Sequence, residues 1–101
     1  MTTRIAKVGD PATMHYPSDQ YPYVVVAVSA SGSKITLEAL DYSGLAPAYH
    51  AGPFPVFDSE VPTDWRTGRM IVAHLAREGY NYAGSTPISI GYARYRRDHS
   101  D

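Results

Sequence analysis

The chain has 101 residues, 44% of them hydrophobic and 19% charged, with a formal net charge of −1 and no cysteine. This is one domain's worth of sequence, apolar enough to fold around a single modest core. It excludes a disulfide framework, a thiolate metal site and a cysteine nucleophile. The missing basic excess argues against a dedicated nucleic-acid or membrane-surface protein.

The N-terminal MTTRIAKVGD has no apolar core of signal-peptide length. The longest apolar run, Tyr23 to Val28, is too short to cross a bilayer. A soluble protein of a reducing cytoplasm is expected, with no membrane partner. Tyrosine is common, nine residues against two Phe and one Trp, and eight Gly and eight Pro cut the chain into short pieces. Tyrosines and β-branched residues suit pleated, half-buried surfaces, so the pattern is that of a small all-β domain.

In chain order, Ile5 to Val8 reads as a first short strand, stopped by the turn Gly9-Asp10-Pro11. Ala12 to Tyr16 continues extended, and Pro17-Ser18-Asp19-Gln20 is a loop. Tyr23 to Ser29 is the clearest strand, apolar on both faces and so expected to be buried on both. Ala30-Ser31-Gly32-Ser33 turns the chain into a partner strand, Lys34 to Leu40. Ile35, Leu37 and Ala39 share one face of it, and Thr36, Glu38 and Leu40 the other.

Residues 43–64 form a Pro-rich loop, with Pro47, Pro53, Pro55 and Pro62 beside Tyr49, Phe54 and Phe57. Long loops in small domains are functional or disordered, and these apolar side chains point to docking. Pro53 to Asp58 fits an edge strand, where a missing N–H is tolerated. Periodicity leaves Arg69 to Arg77 open between a helix capped by Thr63 or Asp64 and a strand turning at Arg77-Glu78-Gly79 into Tyr80-Asn81-Tyr82. Ile88 to Tyr92 reads as the last strand, followed by a polar tail at 95–101.

The segments VGDPATMHYPSDQYPYVVVAVSASGSKITLEAL and GYARYRRDHSD resemble a recurring type of small protein encoded by actinobacteriophages, such as those infecting mycobacteria. The shared features are an early GD-A-T turn, a Ser-Asp-x-Tyr-Pro step, a Ser-x-Ser-Gly hairpin and a Tyr-Arg-Asp ending. The resemblance covers both ends of the chain and is loose between about residues 43 and 68. It implies a phage origin, and a hairpin rather than a helix over Met70 to Tyr82. This chain departs at its end, with Arg97-Asp98-His99-Ser100-Asp101 where the others finish Asp-Pro-Ser-Phe. A second, architectural likeness is to an SH3-like barrel, in which the stretch 15–23 would lie in a ligand-facing loop. Fold likeness of that kind does not carry function.

The candidate functional residues follow from side-chain chemistry. Tyr16, Tyr21 and Tyr23 form either an aromatic binding lip or a cover for the open end of a barrel. The loop 43–64 offers Tyr49, Phe54 and, just beyond it, Trp65 on a backbone pre-ordered by proline. Tyr92, Arg94, Tyr95, Arg96 and Arg97 interleave rings and cations, the logic of single-strand nucleic-acid binding. If that segment is extended, Tyr92, Arg94 and Arg96 share a face. The four histidines, at 15, 50, 74 and 99, have no metal-ligand spacing. The acid pairs Asp10 with Asp19, and Asp58 with Glu60, sit in turns and loops where carboxylates are ordinarily just solvated. GSKIT at 32–36 lacks P-loop spacing and no Gly-x-Ser-x-Gly elbow is present.

The expectation is therefore a single mainly β domain over 1–101, a small antiparallel, partly open SH3-like barrel or roll. It has no catalytic residues, metal or cofactor. Its expected role is non-catalytic binding to a host protein in the host cytoplasm through Tyr21, Tyr23, Tyr49, Phe54 and Trp65. The alternatives are nucleic-acid binding by the 92–97 segment, and a structural homo-oligomer built by edge-strand pairing.

Overall fold

The computed structural model describes residues 5–98, with only the backbone of Asp98, and contains nine strands and no helix over that range. They are β1 (Pro11–His15), β2 (Gln20–Val28), β3 (Lys34–Leu40), β4 (Tyr49–Ala51), β5 (Phe54–Glu60), β6 (Arg66–Ala76), β7 (Gly79–Tyr82), β8 (Thr86–Ile90) and β9 (Arg94–Asp98). Strands β1, β8, β7, β6, β3 and β2 follow one another around an antiparallel barrel, closed because β1 pairs with both β8 and β2. The remaining strands form a wing in the order β9-β5-β4, joined to the barrel where Gln20 of β2 pairs with Arg96 of β9. The small antiparallel barrel matches the SH3-like expectation, and its ring is closed rather than partly open.

Two cores result. Met14, Val25, Ile35, Leu37, Ala73 and Tyr80 fill the barrel. Val24, Leu40, Val61, Ala93 and Tyr95 pack between the barrel and the wing. The alternation of a strand sends Val24 to one core and Val25 to the other, and both are 0% exposed. Each contributes about 1.5–3 kcal/mol by leaving water. The two-sided burial expected of β2 thus holds at its centre. It ends at a bulge between Val25 and Ala27, beyond which Ala27 is exposed.

Tyr80 closes one end of the barrel. Its ring is buried, its hydroxyl donates to Gly32 O at 2.5 Å, and the hydroxyl oxygen accepts from Ala6 N–H at 3.3 Å. Gly32 cannot be another residue without strain. Its φ is +77°, and a Cβ there would stand 2.7 Å from Ile5 Cγ2.

Several boundaries differ from expectation. Residues 5–8 are not a strand. Asp10 Oδ2 accepts Lys7 N–H at 2.9 Å, and this local turn diverts the chain before it can pair. β5 is an edge strand along most of its length: β4 pairs only Phe54 to Val56 and β9 only Val56 to Glu60, so Val56 alone in β5 has a strand partner on both sides among the described residues. Pro55 is tolerated because pairing with β9 begins only at Val56, so its missing N–H removes nothing from that ladder. The ambiguous segment is strand: β6 alternates Ile71 and Ala73 inward against Met70, Val72 and His74 outward, and forms a hairpin with β7. The expected last strand is β8. The chain then turns and forms β9 from residues assigned to the polar tail, burying Tyr95. Residues 99–101 of that tail lie outside the described residues.

Tyr80→Phe removes the hydroxyl shared by two buried backbone groups. It is expected to cost about 1–3 kcal/mol, read as a lower urea midpoint with an unchanged m-value. A midpoint within error of the parent would show that neither bond stabilises the fold.

Candidate functional site

β6 is longer than its partner. It runs from Arg66 to Ala76, but only His74, Leu75 and Ala76 pair with β7. The N-terminal half of β6 therefore has β3 on one side and no strand on the other, among the described residues. The barrel mouth stays open there. Inward-facing Tyr23, Ala39 and Ile71, with Tyr42, Asp41 and Arg69, line a groove of about 490 Å³.

Tyrosines form one wall of this mouth. Tyr16 N–H bonds Asp19 O at 2.9 Å, a tight turn that brings Tyr16 edge-on to Tyr21 with centroids 5.6 Å apart. Asp41 Oδ1 accepts Ser43 N–H at 2.9 Å, which fixes the turn carrying Tyr42 out of β3. That bond also holds the Asp41 carboxyl below its ordinary pKa. Tyr42 stacks on Tyr95 at 3.9 Å and 9°, and Tyr21 lies 5.9 Å from Tyr42 and 6.0 Å from Tyr95. Offset and edge-on ring pairs of this kind add about 0.5–1.5 kcal/mol each beyond area burial. Beside the groove, Tyr16, Tyr21, Tyr23, Tyr42 and Asp19 line a second, shallow and open recess of about 500 Å³. Burial pushes the Tyr21 and Tyr23 hydroxyls above their usual pKa, so they are neutral hydrogen-bonding groups at neutral pH.

The expected binding residues are not gathered on one surface. Tyr21 and Tyr23 meet at the mouth. Tyr49 and Phe54, 58% and 50% exposed, stand on the β4–β5 hairpin of the wing. The pairs Tyr49↔Val56 and Ala51↔Phe54 place them on one face, opposite the face through which Phe57 and Tyr95 pack. Trp65 is on the turn before β6, its carbonyl accepting Asp41 N–H at 2.6 Å.

The arginine-rich segment is extended, and Tyr92, Arg94 and Arg96 share a face, lining a polar cleft of about 380 Å³. Their charge is countered across the wing. Arg94 pairs in register with Glu60 and Arg96 with Asp58. Arg94 Nε also bonds Asp58 Oδ1 at 2.5 Å, which lowers the pKa of Asp58. Tyr95 is buried against Tyr42, so it offers no open face to a base. Arg97, on the other face with Tyr95, is exposed.

Sequence reasoning missed Tyr42, Asp19 and Arg69 as site residues, and left Tyr16 in the aromatic stretch without choosing it. The Asp41-x-Ser43 turn after a strand was the available signal for Tyr42. Arg69 carries no such signal, because it lines the mouth only through the register of β6 with β3. Among the described residues no group of three or more His, Asp or Glu side chains is placed to hold a metal ion. No protein-family model matches the chain, and no curated protein or solved structure is significantly similar to it.

The Tyr42–Tyr95 stack anchors the wing to the mouth. Tyr95→Ala is expected to cost about 3–5 kcal/mol, while Tyr95→Phe, which keeps the ring, costs under about 1 kcal/mol. Denaturant unfolding of both variants separates the two, and equal midpoints would show that the ring itself carries no packing energy.

Proposed function

We propose that this chain is a non-catalytic protein-binding module, and that the groove at the barrel mouth is where it binds. The observation that carries this is a concave, tyrosine-lined surface of about 490 Å³, continuous with the second recess through Tyr21, Tyr23 and Tyr42. Tyrosines supply large, rigid contact area with a polar tip at low entropic cost. The groove has apolar Ala39 and Ile71 at its base and polar Thr67 and Arg69 on its margin, the division of an apolar centre and wet rim typical of protein interfaces. The resemblance to actinobacteriophage proteins suggests the partner class: a protein of the infected host, met in its cytoplasm. Tyr49 and Phe54 on the wing then fall outside this groove, Trp65 stands on the turn before β6 and does not line it, and Tyr21 and Tyr23 remain the bet for contact.

The test is capture from actinobacterial lysate, with and without nuclease, by the parent protein and by Tyr16→Ala/Arg69→Glu. Both side chains are exposed, so the double variant leaves the cores intact. A host protein held by the parent in both conditions and lost by the double variant supports the groove. Retention by the variant removes the groove from the interface. Capture abolished by nuclease shifts the role to the Arg94–Arg97 segment.

A second reading, self-association, is favoured by the open side of β6. Leu75 N–H bonds Ser33 O at 2.7 Å. In an antiparallel ladder, odd residues of β6 then bond toward β3, and Met70 and Val72 direct N–H and C=O to the open side. Their side chains are 59% and 40% exposed. An exposed strand edge with apolar side chains is a template for a second strand. Light scattering across a hundredfold concentration range is expected to show a mass rise that Val72→Lys abolishes. A constant monomer mass removes this reading.

A further inference from the structure

We infer that, given a protein-binding groove as proposed above, the recess beside it takes an arginine side chain of the partner. The recess is walled by Tyr16, Tyr21, Tyr23 and Tyr42 and carries one carboxylate, Asp19. No apolar aliphatic side chain contributes to it, which sets it apart from the groove with its Ile71 and Leu40.

Ring faces and a carboxylate are the two groups that attract an organic cation. A cation over a tyrosine face is held by the ring quadrupole. The rings touch one another at different angles, with Tyr16 at 79° to Tyr21 and Tyr21 at 45° to Tyr42, so a cation lying over them meets both faces and edges. Asp19 Oδ2 already accepts from the Tyr21 hydroxyl at 3.4 Å, so the carboxylate stands at the ring tips, where a planar head would emerge. Among cationic side chains, arginine fits best. Its guanidinium is flat, stacks on rings, is weakly hydrated and pairs with a carboxylate through two N–H groups. The recess is shallow and open, so a guanidinium can lie flat on its rings with the arginine stem along Tyr23.

The chain carries a guanidinium of its own near this rim. Arg97 shares the face of β9 that carries Tyr95, and its charge lies within electrostatic reach of Tyr21 and Asp19. It is exposed, on the wing side of the recess. Arg97 therefore acts as an internal competitor. Its charge lowers the attraction of Asp19 for an incoming cation, and removing it strengthens that attraction.

The probe is N-acetyl-arginine amide, compared with N-acetyl-citrulline amide, the same shape without charge. Binding is followed by NMR shifts of the tyrosine rings in the full chain. The arginine probe is expected to shift Tyr16, Tyr21, Tyr23 and Tyr42 and to saturate in the millimolar range. Citrulline is expected to bind about tenfold more weakly, the loss of one cation–ring and carboxylate contact. Asp19→Asn is expected to weaken the arginine probe about threefold to tenfold, and Arg97→Gln to tighten it about twofold to threefold. Equal binding of the two probes, shifts confined to other residues, or Arg97→Gln weakening the probe would each overturn the inference. Lysate capture by the Asp19→Asn variant separates the levels. Capture that survives, with the arginine probe inert, refutes the arginine site and keeps the binding groove. Capture independent of the Tyr16/Arg69 pair refutes the groove.

Discussion

The structure depends on β2 being buried on both sides. One strand supplies a wall to the barrel and a floor to the wing, and it can do so because Val24 and Val25 point into different cores and are both 0% exposed. A chain of 101 residues has little surface to spare for two separate cores. Sharing a strand between them is the economical solution. β2 pairs with β1, β3 and β9, so the barrel closure, the central hairpin and the wing attachment all pass through it. The bulge after Val25 marks where this double duty ends.

Tyrosine extends the same economy to the surface. The ring can be buried while the hydroxyl meets water or a backbone partner. Tyr80 uses both ends inside the protein, tying Ala6 and Gly32 together at one end of the barrel. Tyr95 buries its ring against Tyr42, and burial raises the pKa of its hydroxyl. Tyr21 and Tyr23 sit between these cases, packing inward while walling the mouth. Closing a core and lining an open mouth are therefore not alternatives for this stretch. The inner part of the ring does one and the outer part the other.

The open mouth has a mechanical origin. β6 outruns β7, so among the described residues its N-terminal half lacks a neighbouring strand on one side. Gly68, with φ +82°, sits at the irregular end of this half, and its N–H donates to the buried Glu38 at 2.9 Å. Arg66 lies 3.7 Å from the same carboxylate. This bulge bends the strand end, one of the ways in which exposed edges are kept from indiscriminate pairing. Groove and free edge are thus two consequences of one mismatch in strand length.

What the sequence determined by itself was local. Alternating β-branched residues around Ala30-Ser31-Gly32-Ser33 specify the β2–β3 hairpin, because strand period and turn chemistry act over a few residues. The double burial of β2 was legible in its unbroken valines, and the all-β class in the spacing of Gly and Pro. Only the tertiary structure decided the rest. Arg94 to Asp98 look like a solvated tail until Asp58 and Glu60, far away in the chain, line up as cross-strand partners and Tyr42 receives Tyr95. Residues 5–8 look like a strand until Asp10 turns them aside. Tyr21 and Tyr23 were legible as site residues from their cluster, and Asp19 joins them through the local turn between β1 and β2. Tyr42 meets Tyr21 only when the strands pack, and Arg69 reaches the mouth only through the register of β3 with β6. Register between distant strands is set by which faces must be buried together, and that choice exists only once the whole chain is packed.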